Sequence, residues 1–313
     1  MSLSTPVAFI IFNRPDTTER VFEAIRQAKP SKLLVVADGP RTDRSGEAEK
    51  SAATRAVIDR VDWECEVITN YSDINLGCKR RVSSGIDWIF SQVEEAIILE
   101  DDCLPAPSFF QFCQTMLECY RYDDRISMIG GSNYQQKHSR TSDSYFFTKY
   151  AHIWGWATWR RAWKDYDVEM KTWPECKQRD LLQAAFHDRY EQKAWVDAFD
   201  QVHAGKIDTW DYQWLYTCFS QSRLSIEPDL NLVSNIGFGA EATHTFGDSP
   251  WANLPTQDIW EIEHPPLVTR NVEADFYTFN HHYGGNNMRQ QDRLIPRIKN
   301  RIRPLKQFIQ TLY

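Results

Sequence analysis

Three consecutive carboxylates, Glu100, Asp101 and Asp102, end the apolar run Ala96-Ile97-Ile98-Leu99. A continuous run of that kind reads as a strand buried on both faces. Three acids at its C-terminal end cannot stay buried together without a cation or protons to offset their repulsion. In an open α/β sheet ligands bind outside the carboxyl ends of the strands. The triplet is therefore a candidate site for a divalent cation, carried with a phosphate. The plainer alternative is an acidic loop that follows a strand.

Other residues could share that chemistry. Arg14 follows the apolar run Val7–Phe12, and Asp38 follows Lys32–Ala37. If those runs are parallel strands, both residues reach the same edge as the acids, where they could hold a nucleobase or ribose. They could equally pair with each other or cap neighbouring helices. Trp154 and Trp156 flank Gly155, so they are expected on a turn where an aromatic face meets a sugar. Trp159 and Trp163, four apart, are expected to share one face of a helix in the core. Asp211 opens an amphipathic stretch and could simply be an acid favoured by a helix N-terminus. The stretch 235–245 has the small residues and the histidine, His244, of a phosphate or metal lid, and also those of any loop. His281 and His282 are adjacent, and neighbouring residues do not easily face one metal.

Elements that could position these residues follow from the pattern. Apolar runs at 7–12, 32–37 and 96–99 and an alternating strand pattern at 64–69 are interleaved with helical periodicity at 16–28, 47–61 and 79–92. That alternation predicts a parallel sheet with right-handed crossovers. Neither a GxGxxG motif nor a Walker A lysine loop is present, so dinucleotide and P-loop chemistry are not supported. A helix at 108–120, short strands at 126–129, 144–147 and 225–230, and a largely helical polar stretch at 164–205 follow. Three segments are expected: a nucleotide-sugar-binding half at 1–105, an acceptor-side half of the same domain at 106–250, and a C-terminal extension at 251–313. The extension holds seven Lys or Arg and one Asp between Arg289 and Lys306, with apolar residues at helical spacing. A basic amphipathic helix there would suit an anionic membrane surface, or would pack on the domain with its basic face in water.

Bulk properties narrow the classes. The 313 residues carry a net charge of −7, a poor match for nucleic acid. Seven cysteines, odd in number and without CxxC spacing, argue against a disulfide framework and a structural zinc site. With no signal peptide visible and no long apolar run, the expected location is the cytoplasm, with membrane association through the C-terminal helix as an addition.

Taken together, the residues from about Val7 to Thr245 resemble the GT-A fold nucleotide-sugar glycosyltransferases, within them most closely the inverting N-acetylglucosaminyltransferase I type. The resemblance implies an α/β, Rossmann-like fold with a mostly parallel central sheet flanked by helices and a C-terminal acceptor-side region. It implies Mn²⁺ (or Mg²⁺) on Asp102, with Glu100 and Asp101 touching donor ribose and sugar. Arg14 and Asp38 would grip uracil, Lys79 would approach the donor, and His244 would lie in a loop that orders over it. Asp211 would be the catalytic base, and Trp154 or Trp156 would border the acceptor. The implied activity is transfer of a sugar from a UDP-sugar, such as UDP-GlcNAc, to a hydroxyl of a glycan or glycolipid acceptor, as in polysaccharide biosynthesis. A retaining transferase or a nucleotidyltransferase on the same fold, or a catalytically silent nucleotide-sugar-binding protein, are the alternatives.

Overall fold

A computed structural model of the chain describes residues 3–136, 138–186, 188–238 and 249–293. Its first part is the expected alternation. Strands β1 (Val7–Ile11), β2 (Lys32–Ala37), β3 (Glu66–Tyr71) and β4 (Glu95–Glu100) are joined by helices α1 (Pro15–Ala28), α2 (Glu47–Ala56) and α3 (Gly77–Gln92). They lie in the order β3-β2-β1-β4, all parallel. The chain first moves outward from β1 to β3, then returns through α3 to the other side of β1. A topological switch point therefore lies between β1 and β4, where an open α/β sheet forms its ligand crevice. The register aligns the strand ends there, with Ile11 opposite Ala37 and Ile10 opposite Glu100.

The same sheet continues into the second part. β8 (Trp156–Trp159) runs antiparallel to β4, followed by β6 (Ile126–Gly130), β9 (Leu224–Pro228) and β7 (Tyr145–Thr148). The result is an eight-stranded, mostly parallel α/β sheet flanked by helices, Rossmann-like in its first half. A separate ribbon pairs β5 (Cys103–Pro105) with β10 (Val233–Asn235). The remaining helices are α4 (Ser108–Cys119), α5 (Arg160–Trp163), α6 (Trp173–Gln178), α7 (Arg189–His203), α8 (Asp211–Ser220) and α9 (Val272–His281). No helix among the described residues is long and apolar enough to cross a membrane. Residues 294–313, which carry most of the expected basic helix, lie outside the described residues.

Strand alternation explains why the apolar runs are continuous. Ala8, Ile10, Leu34, Val36, Ala96 and Ile98 face one core, under Ile86 and Ile89 of α3. Val7, Phe9, Leu33, Val35, Ile97 and Leu99 face the other, under Val21 and Phe22 of α1 and Phe109 and Phe112 of α4. Both faces are dry, so successive side chains are all apolar.

This alternation also corrects the reading of the tryptophans. Trp156 and Trp159 belong to a strand, and the helix begins only at Arg160. Trp159 therefore joins the core beneath α4, while Trp163 joins the opposite core; they share no face. Trp156 is fully buried, with its ring 5.9 Å from Trp210, 5.8 Å from Trp214 and 6.3 Å from Trp163. It cannot meet an acceptor. Trp154, just before the strand, is half-buried and stays a candidate for one. Helix α1 begins one residue before the expected 16–28, because Pro15 takes the first helical position and leaves Asp16 in the first turn. Trp156→Ala should cost about 3–5 kcal/mol of stability in guanidinium denaturation, the usual scale for an emptied aromatic core position. Trp154→Ala should cost less than half of that.

Candidate active site

The acids emerge where β4 outruns its neighbours. Asp101 turns back toward β1, where its Oδ2 accepts a hydrogen bond from the Phe12 N–H at 3.0 Å. Asp102 points to Arg14, whose Nη1 lies 2.7 Å from its Oδ2 and 4.0 Å from Asp101 Oδ1. Arg14 stands immediately before α1, and its carbonyl accepts bonds from the Thr18 N–H at 3.0 Å and hydroxyl at 2.7 Å. The helix thus fixes its backbone. Glu100 keeps some surface exposed, yet the protein around its carboxyl is dense. Desolvation raises its pKa well above the ordinary carboxylate range; Asp102, Asp101 and Asp211 raise it further, and Arg14 opposes them. Burial, then the Asp102 charge, push Asp101 up to about 7 against Arg14 and the Phe12 N–H.

Asp211 comes from a distant part of the chain. It begins α8, and the Thr209 hydroxyl donates to its Oδ1. Its charge reaches Glu100, and also Cys78 at the start of α3, Tyr166 and Tyr283. Cys78 is the meeting point: burial raises its thiol, and Glu100, Asp211, Asp208 and Asp38 add to the effect in that order. Tyr166 stacks on Trp163 at 4.1 Å and donates to the Trp210 carbonyl at 3.0 Å, fixing the turn that leads into Asp211.

Two further segments close on the acids because of strand pairing. β8 pairs with β4 only as far as Trp156 opposite Ile98, so Gly155 and Trp154 come off beside the β4 tip. The β5–β10 ribbon places Asn235 opposite Cys103, which brings the next residues over Asp102. The Ile236 N–H donates to the Asp102 carbonyl at 2.8 Å. Gly237 is so close that a Cβ there would stand 2.0 Å from Asp102 Oδ2. Phe238 then packs edge-on against Trp154, with ring centroids 5.6 Å apart.

The structure thus brings together Arg14, Glu100, Asp101, Asp102 and Asp211, with Trp154 beside them. Two residues expected at the donor make other contacts. Asp38 is bonded within the protein. Its carboxylate accepts from the N–H groups of Gly39, Leu76 and Gly77 and from the Asn75 amide, at 2.9–3.1 Å. These bonds use the lone pairs of a buried carboxylate to hold the turn into α3. Arg14 faces the acids, because the β1–β4 register sets it across the crevice from them. Lys79, on the first turn of α3, pairs with Glu169 at 3.9 Å. His244 lies outside the described residues. Cys78, Gly237 and Thr209 were not singled out in the sequence for these places. Thr209, two residues before Asp211, carried the one local signal.

Among the described residues no three His, Cys, Asp or Glu side chains form a self-contained metal cage. The donor set is hard carboxylate oxygen, suited to Mg²⁺ or Mn²⁺. Its acids also raise one another's pKa despite Arg14. The residues therefore fit a divalent cation that takes its other ligands from a bound phosphate.

No protein-family model matches the chain. No curated protein matches it in sequence. Among solved structures, one with which it shares similarity is the crystal structure of UDP-glucose pyrophosphorylase complexed with UDP-glucose. The identity is 10% and the TM-score 0.29, over 52% of this chain and 71% of that one.

Two outcomes follow from the geometry. Asp101 ionises near its ordinary 3.8 in the unfolded chain but holds its proton to about 7 when folded. Its contribution to stability is full below pH 3.8 and is lost as pH rises through 7, at about 1.4 kcal/mol per pH unit. Asp101→Asn should therefore gain on the wild type between pH 4 and 7 in chemical denaturation without added ligand; parallel curves would contradict the shift. Gly237→Ala should lift the loop from Asp102, seen as faster hydrogen exchange at the Ile236 amide with the sheet amides unchanged.

Proposed function

We propose that this chain is an inverting glycosyltransferase of the GT-A type that moves a sugar from a UDP-sugar to a hydroxyl of a glycan or glycolipid. The observation that carries this reading is the approach of Asp211 to the acids of β4: its charge reaches Glu100 across more than a hundred residues of sequence. One carboxylate group beside the donor and a second at the acceptor face is the arrangement an inverting transfer needs.

In this reading Arg14 binds the diphosphate, since a guanidinium matches phosphate oxygens with two parallel bonds. Glu100 and Asp101 position the ribose and sugar. Asp102 would hold Mn²⁺ or Mg²⁺, which when bound stabilises negative charge on the diphosphate. Trp154 offers an aromatic face to the acceptor sugar. Asp211 accepts the proton of the acceptor hydroxyl as its oxygen bonds to the anomeric carbon. The bond from that carbon to the UDP oxygen breaks on the opposite face, UDP leaves with the electron pair, and the configuration inverts. Thr209 donates to one oxygen of Asp211 and so helps to orient the carboxylate. A carboxylate is a weak base toward an alcohol, so proton transfer accompanies bond formation.

The test is turnover of UDP-sugars with product anomer analysis. Asp211→Asn should keep UDP affinity and lose turnover by about 10²–10⁴-fold, the usual scale of general-base catalysis. Asp102→Asn should lose the dependence on added Mn²⁺. Retained configuration in the product, release of pyrophosphate, or undiminished transfer by Asp211→Asn would each refute the inverting mechanism.

A further inference from the structure

Arg14 occupies the place that a cation on Asp102 would need. Its Nη1 is 2.7 Å from Asp102 Oδ2, and Gly237 closes on that same oxygen. The other oxygen, Oδ1, has the Cys103 thiol at 3.6 Å. A divalent cation arriving alone would meet the guanidinium at close range, where like charges repel. It would also have to break a charge-assisted hydrogen bond in a partly buried setting.

A nucleoside diphosphate changes this balance. Its oxygens match the guanidinium fork at least as well as one carboxylate does. The backbone of Arg14 is pinned by Thr18 at the start of α1. Rotation of the long side chain can therefore carry the guanidinium off Asp102 while α1 stays in place. Asp101 would keep the Phe12 N–H as a partner when the guanidinium leaves.

We propose that Arg14 is a displaceable internal counter-ion. It holds Asp102 while the donor is absent and swings onto the diphosphate when the nucleotide binds. That movement releases Asp102 for the divalent cation. The proposal rests on the nucleotide-diphosphate reading of the site. It makes nucleotide and cation bind with positive coupling beyond their direct contact, and by linkage each raises the affinity of the other by the same factor. The acids are thereby shielded from free cations until a donor arrives.

The experiment measures Mn²⁺ binding to the full chain by electron paramagnetic resonance, with and without saturating UDP, for the wild type, Arg14→Gln and Arg14→Lys. Circular dichroism melts establish that each variant is folded. Without UDP, Arg14→Gln should bind Mn²⁺ about tenfold more tightly than the wild type. With UDP the two should differ little, so the factor by which UDP raises Mn²⁺ affinity falls about tenfold, within the usual range of such couplings. Arg14→Lys, which keeps the charge but not the fork, should fall between them. A fixed, purely electrostatic role predicts something else: Arg14→Gln would raise Mn²⁺ affinity equally with and without UDP. That result, or an unchanged affinity without UDP, overturns the proposal while the donor site stands. A wild type that binds neither UDP nor Mn²⁺ overturns the donor site, and the proposal with it.

Discussion

Three carboxylates in sequence at the tip of a buried strand are the constraint to which the neighbouring structure answers. They cannot be moved into solvent without breaking β4, whose every apolar residue faces one of two dry cores. They cannot be left alone either, because burial and mutual repulsion already push Glu100 and Asp101 upward. The surroundings supply what offsets them. The Phe12 N–H binds Asp101, the Arg14 guanidinium binds Asp102, and the Ile236 N–H fixes the main chain at Asp102. These groups stand just after β1, just before α1 and just after β10, so the acids also tie distant segments together. Holding like charges side by side at a buried strand end is an expense to stability, of the kind retained at functional sites.

The α/β architecture was legible because its signals are local. Apolar runs of strand length, broken by turn residues and alternating with helical periodicity, fix both the elements and their parallel arrangement. The acids were legible for the same reason: polar residues that end a buried strand must face the ligand edge. What was not legible depended on pairing between distant segments. Trp156 looks like a turn residue beside Gly155, but its antiparallel partner β4 draws it into a strand and buries it. The four-residue offset of Trp159 and Trp163 fits a helix, yet a strand-to-helix junction between them sends the two rings to opposite faces. Asp38 sits at the right edge, but only a count of its hydrogen bonds shows that its oxygens are committed to the turn before α3. Gly237 has no distinctive neighbours in sequence; its need for a missing side chain comes from Asp102, more than a hundred residues earlier.

The switch point explains why one crevice can gather groups from so many elements. β1 and β4 are neighbours in the sheet but far apart in sequence, and the chain leaves their carboxyl ends in different directions. After β1 it enters α1, placing Arg14 at one wall. After β4 it turns into β5, whose partner β10 forms a roof over Asp102. The change from parallel to antiparallel pairing at β8 then shapes the other side of the crevice. A parallel neighbour would present its own carboxyl end beside the acids. An antiparallel one presents the residues that precede it, Trp154 and Gly155, and the glycine's missing side chain lets Val233 of β10 pack against it, where a Cβ would be 2.7 Å from that valine. The reversal of one strand thus separates the crevice into a charged wall from the parallel half and an aromatic wall from the antiparallel half. Asp211 reaches the boundary between them through α8, which the cluster of Trp156, Trp210 and Trp214 fastens to the underside of the sheet. The buried tryptophans therefore set the position of the acid at the head of that helix.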